Sequence, residues 1–183
     1  MEIGETLYVT KRGEWRRWLS KNYNKKKEIW LIYYKKDSGK KRIPYDEAVE
    51  EALCFGWIDS IVKRIDEEKH TQRFTPRRKG SQLSEINRQR VEMLKKKGCM
   101  TKAGLEAISL TRRELVIAPD VLKELKKDKE VWVNFLKFPE PYRKIRIAYI
   151  ESQRKHSKQA FEKALNNFIK LTSKNKRFGS WKG

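Results

Sequence analysis

Cysteine and histidine are scarce in this chain, and their scarcity excludes most metal and disulfide chemistry. The only cysteines, Cys54 and Cys99, stand far apart with no C-x-x-C partner, so neither a zinc ribbon nor a disulfide framework is expected. His70 and His156 have no second ligand at metal-binding spacing, and no metal or cofactor is expected. Long apolar runs are missing as well. The longest, Ile29–Tyr34, falls far short of the roughly 18 residues that a membrane-crossing helix needs. The first ten residues carry acids where an export signal needs cations, and no apolar stretch follows them, which points to a cytoplasmic protein. There is no glycine-rich phosphate loop after a strand and no G-x-S-x-G elbow. Glu50-Glu51 and Glu67-Glu68 are adjacent pairs that read as solvent-facing. No catalytic residue is assigned, and a non-catalytic protein is expected.

Acidic residues are outnumbered: 183 residues hold 45 Lys or Arg against 24 Asp or Glu, a net charge of +21. With 38% hydrophobic residues and six Trp, the chain has the material for a core, which excludes a disordered polybasic tail. The length suits one domain, or one small domain with an appendage. Residues 119–183 hold 17 Lys or Arg and 7 Asp or Glu, so the charge is spread along the chain and not confined to its end.

Trp15, Trp18 and Leu19, three and four apart, predict a short helix. The β-branched and aromatic block Ile29–Tyr34 predicts a strand buried on both faces. Pro44, Asp46 and Glu47 suit a helix start, and Tyr45, Ala48, Val49, Ala52 and Leu53 continue it at helical spacing to a left-handed stop at Gly56. Strands are then predicted over 57–65 and 70–78 around a turn at 66–69. Beyond Gly80 a helix is expected, capped by Ser81 or Ser84 and stopped at Gly98, and Thr101 caps a shorter one. After Pro119, four helical patterns follow. The expected architecture is α+β: a small antiparallel sheet packed with helices over residues 1–118, a helical region over 119–172, and a basic tail over 173–183.

The run Glu51-Ala-Leu-Cys-Phe-Gly-Trp-Ile-Asp-Ser60, together with Arg73-Phe-Thr-Pro-Arg-Arg78 and Ser81, Ser84 and Asn87, resembles the YdeI/OmpD-associated (bacteriocin-protection) family. The likeness covers most of residues 15–105. It implies a fold and a protective role against membrane-active agents, and it implies no reaction.

Cys54, among Ala52, Leu53 and Phe55, reads as a core thiol before a nucleophile, because activation needs positive potential and access. Trp57, Asp59 and Ile61 are placed on one strand face, so Asp59 needs a partner, and an arginine is expected. Pro76-Arg-Arg-Lys-Gly-Ser81 reads either as a capped helix start with solvated arginines or as an anion site. In the second reading Arg77, Arg78 and Ser81 grip the ligand, joined by Trp57, Asp59 and Arg73. The basic runs, with Lys95, Lys96, Lys97, Arg143, Lys144, Lys176 and Arg177 foremost, suit a phosphate backbone, and Tyr33, Tyr34, Phe178 and Trp181 offer rings for stacking. The leading expectation is a basic protein that engages an anionic partner, with nucleic acid the favoured class. The alternatives are a small-molecule anion-binding protein or enzyme with a pocket around Trp57, Asp59, Arg77 and Arg78, and a protection factor acting at acidic membrane surfaces.

Overall fold

Helix α1 (Arg12–Asn22) carries Trp15 and Leu19 one turn apart on a single face, and both are buried. A computed structural model describes residues 2–78, 80–108 and 114–179 and shows an α+β fold. The chain divides into two compact units, Met1–Gln82 with Arg90–Leu110, and Leu83–Gln89 with Thr111–Gly183.

The first unit is built on a four-stranded sheet in the order β1-β2-β4-β3. The antiparallel part is the expected one: β2 (Ile29–Tyr34) pairs with β4 (Lys69–Pro76), which pairs with β3 (Trp57–Arg64). Asp66 makes the β3–β4 turn by accepting the amides of Glu68 and Lys69 at 2.8 and 3.0 Å. The sheet is nevertheless mixed. A two-residue strand, β1 (Thr6–Leu7), adds in parallel to β2, too short to leave a periodic signal in the sequence. The β2–β4 register sets Ile29, Leu31 and Tyr33 on the same face as Phe74, Gln72 and His70. Trp15 packs edge-on against Phe74 there and donates its Nε1–H to the Ala48 carbonyl at 3.0 Å, joining α1 to α2 (Tyr45–Cys54) over the sheet.

A tight corner follows α2. Gly56 sits at φ +75°, and a Cβ there would meet the Ala107 Cβ at 2.6 Å. Helix α4 (Lys102–Ala107) begins at Thr101, whose Oγ1 accepts the Gly104 amide and donates to the Cys54 carbonyl at 2.7 Å. Helix α3 (Glu85–Lys96) begins in one unit and ends in the other.

In the second unit, Pro119 is the first residue of α5 (Pro119–Lys126), so the expected break at Ala118-Pro119 marks a helix start, while the units divide earlier, at Leu110/Thr111. Helices α6 (Lys129–Lys137), α7 (Glu140–Gln153) and α8 (Lys158–Ser173) follow. Val121, Leu125, Phe135, Tyr142, Ile150, Leu165 and Phe168 belong to one buried cluster. The four periodic segments thus fold as four helices, although Leu136 and Tyr149 point outward. Phe178 packs against the cluster and its amide donates to Tyr142 Oη at 3.1 Å, so the tail is anchored at that residue. Lys79 and Trp181 lie outside the described residues. Among the described residues no helix is long and apolar enough to cross a membrane.

Candidate functional site

Where β2 and β4 run past the first turn of α2, the sheet face stops being apolar. Cross-strand partners Tyr33 and His70 stack there at 5.6 Å and 13° between planes, and Gln72 follows two residues along β4. With Arg42, Pro44 and Tyr45 they line a cleft of about 290 Å³.

The polar atoms of this cleft are unusual. Tyr33 is 3% exposed and Gln72 5%, yet among the described residues neither Tyr33 Oη nor Gln72 Nε2 has a hydrogen-bond partner. Each such buried donor left unmade costs about 1–3 kcal/mol, so two in one small space is a feature to be explained rather than an accident of packing. Burial first, then the neighbouring Tyr45 and Asp59, push the Tyr33 hydroxyl above its ordinary range, so it keeps its proton and remains able to donate. Burial, with the Arg42 and Lys35 charges behind it, lowers the proton affinity of His70, so the stacked ring is neutral near pH 7. Arg42 holds the Tyr34 carbonyl through Nη1 at 3.0 Å.

Asp59 stands next to this cleft with a partner other than the expected arginine: it accepts the Tyr45 hydroxyl at 2.6 Å. The reason is register. Asp59 pairs with Phe74, so it shares that residue's face, whereas Arg73 pairs with Trp30 on the opposite face and donates to Glu28 through Nε at 2.8 Å. A register shift between Asp59 and Val62 also takes Ile61 out of line with Asp59, leaving Ile61 exposed. Trp57 is fully buried, edge-on to Trp18, with its Nε1–H given to the Tyr23 carbonyl at 3.0 Å.

Arg77 and Ser81 do come together, but on each other: the guanidinium donates to the Ser81 carbonyl and hydroxyl at 2.9 and 3.0 Å. Helix α3 starts only at Glu85, beyond Ser81, so the amides of its first turn do not begin at that hydroxyl, and Arg78 is exposed. Lys95, Lys96 and Lys97 are exposed at the end of α3, and Lys176 and Arg177 are exposed after α8. Lys144 pairs with Glu140 at 2.7 Å, and Arg143 lies over the Phe135 ring.

Glu51, and with it Tyr33, His70 and Gln72, have environments that the sequence does not display. Glu51, expected to face solvent, is 2% exposed and bridges Arg12 at 2.5 Å and Arg16 at 2.7 Å. The signal was Arg12 and Arg16, one turn apart on α1 and able to face a single carboxylate. Tyr33, His70 and Gln72 form the cleft only through strand pairing, which spacing along the chain does not display. Among the described residues no cluster of His, Cys, Asp and Glu is placed to hold a metal ion.

A sequence family described as a domain of unknown function, DUF8412, matches residues 7–107, more than half of the chain and nearly the whole first unit. No curated protein and no solved structure matches.

Proposed function

Since the chain belongs to the DUF8412 family, whose description assigns no activity, we propose from the geometry that its first unit is a binding module for a small, acceptor-bearing anion, a planar carboxylate in the first instance. The observation that carries this reading is a pair of buried donors without a partner among the described residues, Tyr33 Oη and Gln72 Nε2, on two residues that line one cleft together with Arg42. Donors aimed into a small cavity select a ligand that accepts, and a guanidinium favours one that is negative. The cleft is lined by rings, an amide and a cation, with no thiol or serine among them, which favours binding over covalent catalysis. Its volume of about 290 Å³ lies near the lower end of small-molecule sites. The YdeI/OmpD-associated resemblance is proposed alongside as kinship; Asp59, within the run that carries it, is the acceptor that holds Tyr45 over the cleft.

The test is thermal stabilisation and NMR titration of the full chain with acetate, pyruvate and benzoate. At least one carboxylate is expected to bind, and Tyr33→Phe and Gln72→Leu are each expected to weaken it about tenfold, the worth of one charge-assisted hydrogen bond. Wild-type protein indifferent to all three, or variants that bind as well as wild type, would remove the reading.

A second reading, engagement of nucleic acid, is favoured by the net charge of +21 and by Lys95, Lys96, Lys97, Lys176 and Arg177, which have no carboxylate partner among the described residues. It predicts binding to DNA or RNA oligonucleotides at low salt and a steep loss by about 0.5 M through counterion release. No binding at low salt, or binding retained at high salt, would count against it.

A further inference from the structure

Arg146 on α7 is a buried cation without an anion among the described residues. It is 9% exposed, and among the described residues its Nε has no hydrogen-bond partner and no carboxylate pairs with it. Its surroundings are aromatic: the guanidinium carbon lies 4.8 Å from the Phe178 ring centroid, 5.6 Å from Tyr149 and 5.7 Å from Tyr142. Rings of this kind offset part of the cost of burying a cation, but they engage its π-face and cannot accept its in-plane N–H groups.

Arg146 is one of the residues that line a cavity of about 380 Å³ between α7 and α8, entirely within the second unit. Arg146, Tyr149 and Gln153 line it at positions i, i+3 and i+7 of α7. On α8 the repeat places Lys163 and Asn167 toward it, while Ala160 and Ala164 keep the groove open by being small. The lining thus holds two cations, two amides, two aromatic rings and no acid.

We propose that this cavity binds a nucleotide through its phosphate. A phosphate monoester matches two cations better than a carboxylate does, since it carries nearly two negative charges at pH 7. Arginine supplies the fork that grips two of its oxygens, and Lys163 adds a point charge at the rim. The cavity is larger than a bare phosphate requires, and the half-exposed Tyr149 offers a ring for a base, with Asn167 and Gln153 in place for its polar edge. Residues 146–178 lie outside the stretch that the family match covers, and the inference is independent of the first unit's cleft. The same terminal nucleotide chemistry is presented by a free mononucleotide and by the 5′-phosphorylated end of a single strand.

The experiment is calorimetric titration of the full chain at about 0.3 M salt, where diffuse attraction to its surplus charge is suppressed. The probes are inorganic phosphate, adenosine, AMP, and a short oligothymidylate with and without a 5′-phosphate. AMP is expected to bind, adenosine and unphosphorylated oligothymidylate weakly or not at all. Arg146→Gln should lower AMP affinity at least tenfold, a charge-assisted pair being lost. Because that buried position also serves packing, Lys163→Glu and Ala164→Leu provide variants at the rim and in the groove, each expected to weaken AMP with the circular dichroism spectrum unchanged. A phosphorylated strand that binds more tightly than AMP identifies a strand end as the source; equal binding identifies the free nucleotide. Inorganic phosphate binding as tightly as AMP, AMP failing to bind at millimolar concentration, or affinity untouched by Lys163→Glu and Ala164→Leu would overturn the proposal.

Discussion

The Tyr45 hydroxyl donates to Asp59 Oδ2 at 2.6 Å, fastening the first residue of α2 to β3 across the mouth of the cleft. Burial, then Asp59 itself, raises the Tyr45 hydroxyl above its ordinary range, so the link persists through the neutral and mildly alkaline range. A hydrogen bond to a carboxylate is worth about 1.5–3 kcal/mol, and the partial exposure of Tyr45 reduces this to about 1. Tyr45→Phe should lower the urea-unfolding free energy by about 1 kcal/mol and loosen carboxylate binding. A double-mutant cycle with Asp59→Ala should return coupling of that size. Zero coupling would mean the contact does not hold the cleft.

Acidification should weaken the first unit through His70. Its proton affinity is lowered by burial and then by the Arg42 and Lys35 charges, from an ordinary value of 6.5. The folded state therefore binds the proton less readily than the unfolded chain, and stability is lost as pH falls below about 6.5, where the unfolded chain gains protons. Above that pH the ring is neutral in both states and contributes no slope. His70→Phe, which keeps the stack on Tyr33, should flatten the pH dependence of the midpoint between pH 7 and 5. An unchanged slope would assign the acid sensitivity elsewhere.

Local patterns made most elements readable. The Ile29–Tyr34 block, the Pro44 helix start and the Gly56 stop each depend on a few neighbouring residues, and each lies where periodicity and turn chemistry place it. The four helices after Pro119 were likewise visible as separate apolar stripes. What spacing could not display was pairing. The cleft joins residues 33, 45, 70 and 72, which meet only because β2 and β4 run antiparallel beneath the start of α2. Asp59 illustrates the difference: a strand pattern shows that it needs a partner, whereas only the register, with its shift after Asp59, shows that Arg73 faces away. Arg146 was hidden for another reason, since Arg143 and Lys144 form an evident basic run while a single arginine one turn onward looks like more of the same surface.

The two cysteines should differ sharply toward alkylation. Cys54 is fully buried, and burial, reinforced by the Glu51 charge, pushes its thiol up to about 11. Cys99 is partly exposed. At pH 7.5 iodoacetamide should therefore label Cys99 alone, with Cys54 reacting only in denaturant, read as one against two additions by intact mass spectrometry. Rapid labelling of both in native buffer would show that the α2–β3 corner opens readily.

Glu51 provides an asymmetric test of the α1–α2 contact. The carboxylate is 2% exposed, while its partners Arg12 and Arg16 keep 36% and 40% of their side-chain surface. Removing the acid leaves two arginines that water can reach; Glu51→Gln keeps an acceptor and should cost about 1–2 kcal/mol. Removing both arginines is different, because it leaves a charge stranded in the interior, and Arg12→Met/Arg16→Met should cost about 3–5 kcal/mol. Arg12 also donates to Glu50 at 2.8 Å and Arg16 to the Cys99 carbonyl at 3.1 Å, so each arginine has a second contact and the two single changes should cost about the same. Chemical denaturation of the three variants and the double mutant measures the order directly. If Glu51→Gln proves as damaging as the double arginine variant, the contact depends on the carboxylate's own charge and not on the cost of leaving that charge unpaired.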